Sequence, residues 1–152
     1  MAVSDLDQPI AERAGKTDHN ILATWAADCA ERALPFFEEK FPGDPRPRDA
    51  IAALREWVRT GVFRMADVRG TSLAAHAAAR EAEGDDAARS AARAAGQAMA
   101  TAHVPAHAIA AAIYAATAFR DSAAQKDAED ATAREREWQF HHLLELTGHI
   151  QS

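Results

Sequence analysis

The sequence predicts an all-α fold, a single-domain bundle of about six helices, and three observations lead there. Apolar residues recur at three- and four-residue steps along most of the chain, whereas strand-favouring residues nowhere alternate with polar ones over a useful length. Proline, glycine and capping residues cut the periodic stretches into pieces of ordinary helix length. Of the 73 apolar residues 40 are alanine, the best helix former, which leaves 33 larger side chains for a thin core with backbones packed close together.

The first helix is expected after Asp18, a good N-cap, with Ile21, Leu22, Trp25, Cys29, Ala33 and Phe36 on one face. Pro35 ends or kinks it, and the prolines and glycine from Pro42 to Pro47 make a turn. A second helix spans about Pro47 to Thr60 on the stripe Ile51, Leu54, Trp57, Val58, with Gly61 as its C-cap. A third runs from about Met65 to Glu83 with Val68, Leu73, His76 and Ala77 inward, and Gly70 predicts an irregularity inside it. Asp85 or Asp86 caps a fourth, which reaches about Ala102 and carries the small-residue strip Ala88, Ala92, Ala95, Gly96, Met99. The Val104-Pro105 break leads into a fifth, to about Arg120, with Ile109, Ala112, Ile113, Ala116 and Phe119 inward. The last segment, about Asp121 to Thr147, has a polar first half and a core half with Trp138, Phe140, Leu143 and Leu144. The domain therefore covers residues 18–148, and residues 1–17 are expected to be a flexible extension.

Composition removes several classes of function. One cysteine allows no disulfide within the chain and no Cys-rich zinc site. A net charge of −6 argues against a nucleic-acid groove, which carries a basic excess. The start of the chain is acidic without an apolar run, and no charge-free stretch of 18 apolar residues occurs. The expected location is the cytoplasm, with no membrane and no nucleic acid as partner. Arginine outnumbers lysine 14 to 3, which favours bidentate carboxylate pairs or reflects codon usage.

Gly15-Lys16-Thr17 looks like the tail of a phosphate-binding loop, but that motif needs a glycine where Ile10 stands and a strand before it. His103 and His107 have the i, i+4 spacing that lets two imidazoles share a metal, with His76, Asp28, Glu31 or Cys29 as further ligands. Pro105 lies between them, however, and the same histidines also suit a hydrogen-bonded core and a helix start. Cys29 reads as a small buried hydrophobe. Asp28 and Glu31 either form an edge pair with Arg32, one turn on from Asp28, or orient His76 or an arginine from another helix. The cluster Glu81, Glu83, Asp85, Asp86 is either a solvated helix end or an acidic face for a basic partner.

Four segments together carry a family resemblance: His19-x-x-Leu22-Ala23-x-Trp25 through Asp28-Cys29-Ala30-Glu31-Arg32; Pro47-Arg48-x-Ala50-Ile51 through Trp57; Leu73 through Arg80 around His76; and Ala94-Ala95-Gly96 through His103-Val104-x-x-His107. They resemble a bacterial family of small α-helical immunity proteins, close to the fifth class of polymorphic-toxin immunity proteins, over roughly Asp18 to Leu144. The resemblance implies a cytoplasmic α-helical protein that binds and neutralises a protein toxin, and we expect it to act without catalysis and with no cofactor. The residues matching the pattern include Asp28, Glu31, His76, His103 and His107. The alternatives are a helical metal-binding protein or metal-dependent enzyme with a His76/His103/His107 site, and a homo-oligomer joined through the alanine-rich helices.

Overall fold

In the computed structural model, which describes residues 4–148, seven α-helices and one short 3-10 turn follow one another, with no strand among the described residues. They are α1 (Asp7–Gly15), α2 (His19–Glu38), α3 (Arg46–Thr60), α4 (Met65–Glu81), α5 (Asp86–Ala100), α6 (His107–Ser122) and α7 (Ala128–Leu146), the 3-10 turn being Gln125–Asp127. The central helix is α5, in contact with α2, α3, α4 and α6. On the far side of α2 and α6 lies α7, which carries α1. No helix of the described residues is long and apolar enough to cross a membrane.

Alanine sets this arrangement. Along α5 the residues Ala88, Ala91, Ala92, Ala95, Gly96 and Ala98 are buried, and α6 answers with Ala108, Ala111, Ala112, Ala115, Ala116 and Ala118. Two such faces let the axes approach the short end of the 8–10 Å range. The alanine-rich faces of α5 and α6 thus pack against each other within the chain. Ile109, Ile113 and Phe119, expected inward, lie half-buried at the edges of α6, because only small side chains fit between α5 and α6. Larger residues fill the space between α2 and its neighbours, with Trp25, Phe37, Leu54 and Leu143 buried.

Several boundaries fall as expected. Asp85 caps α5, its carboxylate accepting the Ala88 N–H at 2.9 Å, and Gly61 ends α3 at φ 72°, where a side chain would be strained. Others differ. Residues 7–15, expected in a flexible extension, form α1, whose Ile10 is fully buried and whose Asp7 reaches α7. With only one full turn of apolar residues, α1 has too little periodicity to announce itself. Helix α2 continues through Pro35 to Glu38 and α4 through Gly70. The inner face of α4 is Val68, Ser72, Ala75, Ala78 and Ala79, so Leu73 points outward, 57% exposed.

Candidate functional site

The facing surfaces of α2 and α7 hold a ring of polar contacts. One turn of α2 directs Asp28, Cys29 and Arg32 toward α7. Arg32 donates from Nε and Nη2 to Glu135 Oε2 and Oε1 at 2.8 and 2.9 Å, a two-bonded fork on a carboxylate that is only 3% exposed. The Arg32 guanidinium lies 3.9 Å above the Trp138 ring, and Trp138 stacks on His142 at 4.6 Å between centroids. His142 Nε2 donates to Asp28 Oδ2 at 2.7 Å. Arg55 of α3 completes the line, donating to Asp28 Oδ1 at 2.9 Å and to Glu31 Oε2 at 3.2 Å.

Beneath this ring a second polar group is almost wholly buried. Arg136, 1% exposed, donates to Gln139 Oε1 at 2.8 Å and to Asp7 Oδ1 at 2.9 Å, and its Nε has no partner among the described residues. Gln139 Nε2 donates to the Ala112 carbonyl, and the Gln139 main-chain carbonyl accepts the Trp25 indole N–H, each at 2.8 Å. Cys29 lies buried, and burial pushes its thiol well above the ordinary value, with the Glu135 and Asp28 carboxylates adding to the effect. A thiol so raised stays protonated near neutral pH and is a poor nucleophile.

Asp28 and Glu31 are therefore brought together by Arg55, an arginine from another helix, while Arg32 turns to Glu135. His76 does not join them, since α4 packs on α3 and α5 whereas α2 lies beyond α5. The His76 ring sits instead against Gly96 of α5, where a Cβ would stand 2.7 Å from Nε2. Burial first, then Arg93, Arg80 and His107, hold its imidazole below the ordinary value. His107 donates from Nδ1 to Gln97 Oε1 at 2.8 Å, and His103 stacks on Phe63 at 5.8 Å. Among the described residues no three His, Cys, Asp or Glu side chains are placed to hold a metal ion. The metal site built on His76, His103 and His107 is corrected on that ground: α6 begins only at His107, beyond the turn around Pro105, so the i, i+4 spacing does not lie within one helix.

In the acidic cluster, Glu81 holds Arg46 at 2.9 Å and Asp85 caps α5, while Glu83 and Asp86 are exposed. The Arg46 guanidinium lowers the Glu81 carboxyl below its usual range. The residues that the sequence reading missed are Arg55, Glu135, Arg136, Gln139 and His142. Their α7 members recur at helical spacing, but a polar stripe has the same spacing whether it meets water or a neighbouring helix.

The fold and its site define an all-α, single-domain bundle braced by a polar α2–α7 seam. The chain belongs to a family described as Imm-5 like putative immunity protein, whose family model it matches over residues 12–146. No curated protein and no solved structure matches it.

Proposed function

We propose that the protein is a cytoplasmic, non-enzymatic immunity protein that binds a bacterial toxin protein and neutralises it by masking its active surface. The family match carries this reading: it spans residues 12–146, from within α1 to the end of α7, and so takes in six of the seven helices entire. The chemistry of the seam agrees with it. Asp28, Glu31, Arg55, Arg32, Glu135 and His142 satisfy one another, and such closed sets orient helices without leaving a free acid or base.

The test is co-expression with the toxin domains encoded in the same genome. One of them is expected to lose its toxicity and to form a stoichiometric complex with the chain. Failure to protect against any of them overturns the reading, and protection by far less than one equivalent overturns its non-enzymatic part.

A further inference from the structure

On one face of the bundle, large apolar side chains lie in the open next to arginines that form no salt bridge among the described residues. Val62, Phe63, Met65, Leu73 and Val104 are the large hydrophobic residues left exposed among the described residues, at 37–59%. They gather in one region. Phe63 stacks on His103, which draws the loop between α3 and α4 against the turn between α5 and α6. Met65, Arg69, Leu73 and His103 line one shallow depression of about 170 Å³. Met65, Arg69, Leu73, His76 and Arg80 follow at three- and four-residue steps and so share a stripe of α4 about 22 Å long.

The charge of this face is opposite to that of the whole chain, which is −6. Elsewhere Arg32, Arg46, Arg55 and Arg136 each hold a carboxylate. Arg69 and Arg80 on α4 and Arg93 on α5 hold none among the described residues. His76 lies among them, and the charged neighbours that act on it, Arg93, Arg80 and His107, are all groups of positive sign. Of the nearby acids, Glu81 is bonded to Arg46 and meets Arg80 only through its charge, while Asp67 lines both the groove toward Arg46 and Asp49 of α3 and the depression beside Val62 and Glu56.

We infer that the toxin docks on this face through an acidic surface with an apolar centre. Phe63, Met65 and Leu73 take its apolar side chains, and Arg69, Arg80 and Arg93 take its carboxylates. Aromatic residues, methionine and arginine are the types enriched at protein interfaces, and the planar guanidinium gains paired hydrogen bonds once water is excluded. The inference rests on the immunity reading and assigns it a face, opposite in sign to the acidic loop at Glu81–Asp86. His76, His103 and His107 then converge on a protein interface rather than on a metal.

The experiment measures association of the toxin domain neutralised in the co-expression test with the full chain and three variants. Leu73→Glu is expected to weaken binding at least tenfold. The double variant Arg69→Glu, Arg80→Glu is expected to slow association at low salt about tenfold and to flatten its salt dependence. Glu83→Lys, Asp86→Lys is expected to bind like wild type. All these positions are solvent-facing, and thermal melting checks the fold; Leu73→Ala replaces Leu73→Glu if the latter does not fold. Wild-type binding by both face variants overturns this inference and leaves the immunity reading standing, as does a loss confined to the Glu83, Asp86 variant. Conversion of a wild-type dimer to a monomer by Leu73→Glu identifies a self-interface and also overturns it. A wild-type chain that neutralises no toxin overturns both.

Discussion

Arg32 on α2 and Glu135 on α7 form a two-bonded fork, 2.8 and 2.9 Å, in which the cation is 39% exposed and the carboxylate 3%. The pair is asymmetric, and removing either partner has a different cost. Arg32→Met strands a buried carboxylate, at about 3 kcal/mol. Glu135→Gln keeps the shape and one acceptor while Arg32 turns to water, at about 1 kcal/mol. Urea denaturation of both variants measures the difference, and equal losses would contradict the burial asymmetry.

Asp7 and Arg136 tie the N-terminal helix to the core. Without Asp7 the almost fully buried Arg136 keeps only its bond to Gln139, with its Nε already unpartnered. Asp7→Ala is expected to cost roughly 1–3 kcal/mol, and Ile10→Ala, which empties a fully buried site, roughly 2–5 kcal/mol. A melting temperature unchanged in both variants would return residues 7–15 to the status of an extension.

Gly96 and His76 should be energetically coupled. Alanine at 96 places its Cβ 2.7–2.9 Å from three atoms of the His76 ring, so the ring must leave its place on α5. In a His76→Ala background the same change meets no ring and gains about 1 kcal/mol of helix propensity. A double-mutant cycle is expected to show Gly96→Ala less favourable in wild type by about 1–2 kcal/mol. Additive effects would mean that the ring moves aside at no cost.

His76 also gives the protein a pH dependence of definite sign. Its imidazole is held below the ordinary value of about 6.5 by burial and by neighbouring cations, so the unfolded chain binds the proton first as pH falls. The contribution is present above that unfolded value and is lost as pH falls from there to the lower folded value. His76→Gln is expected to show a shallower loss of stability as pH falls below about 6.5. An identical slope in both proteins would remove His76 from the account.

The all-α class, the six helices from α2 to α7 and the Asp85 and Gly61 caps were legible from sequence alone, because periodicity, capping chemistry and turn residues act over a few neighbouring positions; the family was legible only through the resemblance of particular segments. Asp28 and Glu31 were recognisable as candidates, but which arginine they hold was not: Arg32 is near in sequence, whereas Arg55 is brought near only by packing α3 on α2. The same holds for the face each helix presents. The apolar ring of α6 and the alternatives Leu73 or Ser72 on α4 fit either orientation until α5 supplies a surface that accepts only small side chains. Long-range pairs such as Arg32–Glu135 and Asp7–Arg136 depend on where whole helices come to rest. That is decided by the sum of packing and desolvation over the entire bundle, which no local pattern contains.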